Sequence, residues 1–291
     1  MTSQPTPRRP GPRTSASVLT LDGRDGHEHP DSLVTEEPLE IRLRDDHGRR
    51  TVAITMRTPG SDVELAAGFL HAEGVVSTRE HISHIRYCTD RGVEQRYNTI
   101  TVDLRPGAHA HLQPLERHFT TTSACGVCGK TSLDALDLDG HAPIESGLEL
   151  SLDVLYALPT RLGAAQAVFA RTGGLHAAAL FSPDGEPIAV REDVGRHNAV
   201  DKLLGWALLN DRLPATDATL LVSGRTSFEI LQKALVARVP IVAGISAPSS
   251  LAVDLARRFG ITLIGFLRDH RANVYSHPGR IRLPATEGTR P

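Results

Sequence analysis

"ATLLVSGRTSFEILQKALVARVPIVAGISAPSSLAVDLARRFGITLIGFLR", residues 218–268, holds three nearly continuous apolar runs separated by two amphipathic stretches of helical length. The apolar runs lack the polar alternation of a half-exposed strand, so they predict strands buried on both faces. Strand, helix, strand, helix, strand in this order predicts a parallel sheet with helices packed on its faces. Ligands of such sheets sit outside the carboxyl ends of the strands. Those ends fall at "SGRTSFE" (223–229) and "SAPSSLA" (246–252). Thr226 and Glu229 have capping-box spacing, which would leave backbone N–H groups aimed outward beside Ser223, Gly224 and Arg225, a ready anion site. Helix capping alone explains the same pattern, and the two readings weigh about equally.

Working outward, "REDVGRHNAVDK" (191–202) crowds seven charged or histidine side chains around the start of a helix whose continuation, "LLGWALLN", is apolar. The polar end of that helix would be its wet end. Arg196, His197, Asn198 and Lys202, with Arg191 and Asp201, could supply hydrogen bonds and charge to a phosphorylated, base-containing ligand. Before it, "LHAAALFSPDGEPIAVRED" (175–193) predicts a hairpin about Pro183-Asp184-Gly185. "DVLYALPTRLGAAQAVFART" (153–172) predicts a helix kinked or broken at Pro159.

Nearer the amino terminus the texture is different. "PLEIRLRDD" and "RTVAITMRT" predict a β-hairpin, "PGSDVELAAGFLHAEGVV" a helix begun by an Asp or Ser cap, and "ISHIRYC" and "NTITVDL" two further strands. Residues 31–118 therefore read as a small α+β domain and residues 119–283 as an α/β domain. The proline-rich segment 1–30 has almost no apolar periodicity and reads as a disordered tail.

Composition bounds the chemistry. A net charge of −2 over 291 residues shows no nucleic-acid footprint, and no apolar run is long enough to span a membrane. A cytoplasmic protein is expected. With three cysteines in a reducing compartment, a disulfide framework is a poor reading, and Cys88, in a short apolar alternation, reads as a buried inert thiol. Cys125 and Cys128 stand apart, three positions from one another in "SACGVCGK" (123–130), beside Lys130, one of only three lysines. A neighbouring cation lowers a thiol pKa and favours the nucleophilic thiolate. Such a pair could carry sulfur as a persulfide, or it could bind zinc. For zinc, "HAE" at 71–73 would add His71 as ligand and Glu73 as acid/base, which matches in part the H-x-E…P-C-x-x-C signature of zinc deaminases, with Ala124 in place of the proline. A thioredoxin-like redox pair fits less well, because threonines and a serine precede the motif where a strand should be. Between persulfide and zinc the residues alone do not choose.

"SACGVCGK", "TGGLHAAAL", "REDVGRHNAVDKLLG", "SGRTSFEI", "AGISAPSSLAVDLA" and "GITLIGFLR", in this order, resemble the FdhD family, sulfurtransferases required for formate dehydrogenase activity. The resemblance spans about residues 33–283. It implies a fold similar to cytidine deaminases, with a layered α/β domain and a smaller N-terminal α+β domain. It also implies that a cysteine desulfurase loads sulfane sulfur on Cys125, that Cys128 assists transfer, and that no permanent metal is held. The acceptor would be the bis(molybdopterin guanine dinucleotide) molybdenum cofactor, Mo-bis-MGD, destined for the catalytic subunit of formate dehydrogenase. In the family the cofactor contacts the segment that here is Phe266, Leu267, Arg268, Asp269, His270 and Arg271. Homodimerisation is implied by the family alone.

Overall fold

A computed structural model describes residues 9–88, 96–108 and 140–284. In chain order its principal elements are β1 (Arg13–Asp22), β2 (Asp25–Val34), β3 (Glu37–Asp45), β4 (Gly48–Arg57), α1 (Asp62–Ala72), β5 (Ile82–Tyr87), β6 (Thr99–Leu104), β7 (Leu150–Ser151), α2 (Leu152–Ala165) and α3 (Phe169–Thr172). There follow β8 (His176–Phe181), β9 (Pro187–Asp193), α4 (Arg196–Leu209), β10 (Thr219–Val222), α5 (Phe228–Val236), β11 (Ile241–Gly244), α6 (Ser250–Arg258), β12 (Thr262–Arg268), β13 (Arg271–Ser276) and β14 (Ile281–Arg282). The architecture is mixed α/β, in two compact units. Among the described residues the first takes 9–88, 96–108, 167–176 and 192–209, and the second takes 140–166, 177–191 and 210–284. A single boundary near 118 is therefore replaced by a chain that returns twice to the first unit, and α4 belongs to that first unit.

In the second unit a six-stranded sheet runs β13-β12-β11-β10-β8-β9. The three strands β10, β11 and β12 pair in parallel, as their apolar runs predict, while β8 and β13 join antiparallel. Leu155, Leu158 and Leu162 of α2 form a core with Ala179, Phe181, Leu221, Ala243 and Ile264 of the sheet. Residues alternate faces along a strand, so Leu220, Val242 and Leu263, also buried, look to the opposite face. There α5 contacts α6, and α6 contacts β12. The α2 helix runs through Pro159 unbroken. The hairpin at Gly185 forms as expected, with the glycine at φ +76°.

In the first unit the sheet order is β4-β3-β6-β5, with β3 parallel to β6. The predicted hairpin closes at Asp45 opposite Gly48. Leu39, Ile41 and Leu43 alternate inward and are fully buried, as a period of two requires. Helix α1 packs on β6 and crosses α4. The crossing is very close. A Cβ on Gly68 would lie 1.8 Å from the Asp201 carbonyl oxygen, and one on Gly205 would lie 1.8 Å from that of Glu64.

The stretch expected to be disordered is strand from Arg13 onward: β1 and β2 form an antiparallel ribbon from Arg13 opposite Val34 to Asp22 opposite Asp25. It has no fully buried residue in either strand, so the apolar alternation that betrays a half-buried strand is missing from its sequence. Thr20 Oγ1 and His29 Nε2, 2.7 Å apart, tie the two strands through side chains instead.

On β3, Glu40 accepts from Arg42 Nη2 at 2.7 Å, from Thr99 Oγ1 at 3.4 Å, and from Thr51 Oγ1. The Arg42 hydrogen bond above all holds its carboxyl below the ordinary value of 4.5, against the opposing effect of burial. Unfolded chains then take up the proton first, so this contribution is complete above pH ~4.5 and is lost as pH falls through the lowered value. Glu40→Gln should flatten the acid limb of a urea-midpoint profile while costing under about 1 kcal/mol near neutrality; an unchanged acid limb would refute this assignment.

Candidate functional site at the sheet edge

The carboxyl ends of β10, β11 and β12 are knitted together before any ligand is considered. Ser223 N donates to Ala177 O and Ala177 N donates to Ser223 Oγ, both at 2.9 Å, which fixes the turn leaving β10. Thr226 N donates to Ala247 O at 3.2 Å and Ser249 N donates to Thr226 O at 3.0 Å, a short parallel bridge between the two predicted ligand turns. Phe266 N donates to Ser246 O at 3.1 Å, which brings β12 to the same edge. Two glycines permit this approach. A Cβ on Gly244 would stand 3.0 Å from Thr226 Cγ2, and one on Gly265 2.9 Å from Pro248 Cδ.

The expected capping box is not what forms. Ser227, not Thr226, occupies the cap position of α5, and its hydroxyl donates to Glu229 Oε2 at 2.8 Å instead of serving the helix N–H groups. Thr226 is fully buried, and its Oγ1 has no hydrogen-bond partner among the described residues. On α6 the serine cap does form, Ser249 Oγ accepting from Ala252 N at 3.2 Å. Gly224 is buried and Arg225 exposed beside these two helix starts.

Residues 266–271 are a hairpin and not the exit from a final strand. Ala243 pairs with Ile264, so Gly265–Arg268 overhang β11, and Arg268 lies opposite Arg271 across a turn made by Asp269 (φ +52°) and His270 (φ +54°). Two successive positive φ values match the tight turn that suits the twist of a hairpin. Leu267, expected among the ligand contacts, is fully buried in the core of this unit. Phe266 is half-buried. Arg268, Asp269, His270 and Arg271 are exposed, with the His270 ring 5.4 Å from that of Tyr156. With Arg225, this edge offers guanidinium groups and helix N-termini suited to an anionic ligand.

Arg196, His197, Asn198 and Lys202 lie in the first unit, and two of them are turned inward. The Lys202 ammonium, 2% exposed, sits 2.6 Å from Asp193 Oδ2 and donates to Thr58 O at 2.8 Å and Glu192 O at 3.2 Å. All its donor capacity is spent. Asn198 Nδ2 donates to Met56 O at 2.7 Å and Asp193 Oδ1 at 3.2 Å, and its Oδ1 accepts from Thr55 Oγ1. These two side chains, expected to contact a ligand, instead spend their polar groups on protein partners that frame the start of α4; Arg196 and His197 remain part-exposed at its first turn. The residue missed is Asp193, fully buried, which also accepts from Thr58 N at 3.1 Å and Gly195 N at 2.8 Å. An acid two residues before a glycine and nine before a lone lysine was its only signal.

Cys125, Cys128 and Lys130 lie outside the described residues. Cys88 is half-buried at the end of β5. His71 is 5% exposed with Nδ1 3.0 Å from Val76 O, and Glu73 is the C-terminal cap of α1. Among the described residues no cluster of His, Cys, Asp or Glu could hold a metal, and no helix is long and apolar enough to cross a membrane.

The model of the FdhD/NarQ family matches residues 34–282. A sulfur carrier protein FdhD of Streptomyces coelicolor is 52% identical over 271 residues, covering 91% of this chain and 95% of the relative. That of Mycobacterium tuberculosis is 53% identical over 259 residues, covering 87% and 92%. A crystal structure assigned to a formate dehydrogenase accessory protein from Desulfotalea psychrophila superposes with a TM-score of 0.72 at 25% identity, over 93% of this chain and 99% of that one. With a family model spanning most of its length and relatives above half identity, the chain belongs to the FdhD/NarQ family.

Proposed function

We propose that this protein is a sulfur carrier serving formate dehydrogenase, with Cys125 as the persulfide site. The observation that carries the reading is the Cys125-x-x-Cys128 pair in a chain half identical to proteins named sulfur carriers. The Cys125 thiolate attacks the terminal sulfur of a cysteine desulfurase persulfide; that S–S bond breaks, a new one forms on Cys125, and the donor leaves as a thiolate. Attack by the Cys128 thiolate on the inner sulfur then yields a Cys125–Cys128 disulfide and releases the outer sulfur as hydrosulfide. The two electrons come from the thiol pair, and a dithiol reductant restores it. The acceptor is Mo-bis-MGD, whose pyrophosphates and guanines suit Arg225, Arg268, Arg271 and the helix starts of α5 and α6. A deaminase-like fold, a homodimer and a cytoplasmic setting complete the reading.

A zinc deaminase is not favoured, because a buried His71 bonded to a backbone carbonyl and a Glu73 that ends its helix are a helix terminus already explained. Incubation with a desulfurase and cysteine should add the mass of one sulfur atom to the Cys125 peptide, removable by reductant. Cys125→Ala should abolish both loading and formate dehydrogenase activation, while Cys128→Ala should keep loading and lose delivery. Activation by a Cys125→Ala/Cys128→Ala protein would end the proposal.

A further inference from the structure

The first unit holds a cavity of about 330 Å³ at the start of α1. Two of its walls are the rings of Tyr87 and Tyr97, 5.3 Å apart and at 88° to each other. A buried network sets them in place. Arg57, fully buried, forms a two-pronged pair with Asp62 through Nε at 3.1 Å and Nη2 at 3.0 Å. The same Nη2 donates to Tyr97 O at 3.0 Å, and the Tyr87 hydroxyl donates to Asp62 Oδ2 at 2.8 Å. Burial and the Asp62 charge push the Tyr87 pKa up, so its ring stays neutral.

The guanidinium of Arg9 sits over both rings, its central carbon 4.7 Å from the Tyr87 centroid and 5.3 Å from that of Tyr97. Both distances are within the range of cation–π attraction. Arg9 is exposed, so the contact can open without unpacking a core. Among the described residues that line the cavity, the carboxylates are Asp62 and Glu64 and the only cation besides Arg9 is Arg57, which also meets Glu37, an arrangement that favours a positive guest. Tyr97 also sits at φ +54°, a conformation that an aromatic residue adopts only at a cost. The fold tolerates that cost and presents a ring.

We infer that Tyr87 and Tyr97 form a cage for an arginine side chain, held in the free protein by this chain's own Arg9 and open to an arginine of a partner protein when Arg9 leaves. Arginine is the chemistry indicated, since a planar guanidinium can lie against a ring face and meet carboxylates at its edge. The inference is independent of the sulfur-carrier reading and involves neither Cys125 nor Cys128.

The test is calorimetric titration of the full chain with acetyl-Gly-Arg-Gly-amide. A tethered Arg9 competes at high local concentration, so Arg9→Ala should bind this peptide about fivefold or more tighter than the unaltered protein. The lysine counterpart should bind more weakly. Tyr97→Gly in the Arg9→Ala background should abolish binding while leaving Tm unchanged or raised, because glycine accepts the left-handed backbone and keeps the carbonyl that Arg57 uses. Equal affinity with and without Arg9, no binding to Arg9→Ala, or binding that survives loss of the Tyr97 ring would each overturn the inference. Persulfide loading of Cys125 should be unaffected by any of these changes.

Discussion

Gly68→Ala and Gly205→Ala are each expected to lower Tm by roughly 6–12 °C, and either can prevent soluble expression. A Cβ at either position would penetrate a backbone carbonyl at 1.8 Å, and the opposing amide nitrogen lies 2.7 Å away. Backbone atoms cannot rotate aside as a side-chain terminus can, so α1 and α4 must separate along their whole crossing. Overpacking a well-filled core costs about 1–3 kcal/mol, and this case belongs at or above the top of that range. For a chain of this size each kcal/mol moves Tm by about 2–4 °C. Gly163→Ala is the control. Its Cβ would meet nothing within 4 Å, and in helix α2 alanine should stabilise by up to about 1 kcal/mol. If Gly68→Ala and Gly163→Ala have similar Tm values, the close crossing is wrong.

The second large effect is electrostatic. Lys202→Met should cost about 3–5 kcal/mol, read from urea midpoints, because it leaves the fully buried Asp193 carboxylate without its countercharge. The three remaining donors, Thr58 N, Gly195 N and Asn198 Nδ2, are dipoles and neutralise nothing. Asp193→Asn added to Lys202→Met should recover a good part of the loss, since the amide is uncharged and can still accept from those neighbours. A loss below about 1 kcal/mol in the single variant, or no recovery in the double, would show that the pair is not the keystone of this turn.

The parallel core of the second unit was legible because doubly buried strands are almost wholly apolar, and β10, β11 and β12 are so apart from Thr219, Thr262 and the exposed Arg268. The hairpin of β3 and β4 was legible for the opposite reason, its strict alternation. The β1–β2 ribbon was not, since a strand that buries neither face leaves no pattern to read. Nor was the allegiance of α4: its helical period is plain, but only Gly68 and Gly205, which look like weak helix formers in sequence, decide what it packs against. At the candidate site the turns "SGRTS" and "SAPSS" were placed correctly at strand ends. The burial of Lys202 and Asn198 against Asp193 was not legible, because charge density marks a helix start equally well whether its members face solvent or satisfy a buried acid. Asp193 escaped notice because its four partners are spread between residues 58 and 202.

The order in which this chain leaves the ribosome has a consequence for how it can mature. Strands β3 to β6 and helix α1 emerge early, yet the surface that receives α1 is not complete until Leu209 has been added, after β8 and β9 have already appeared. The amino-terminal portion must therefore wait, with its glycine-lined helix uncovered, for a latecomer. No single proteolytic nick or truncation can release either unit whole, and an expression fragment ending near residue 130 should be recovered as an aggregate.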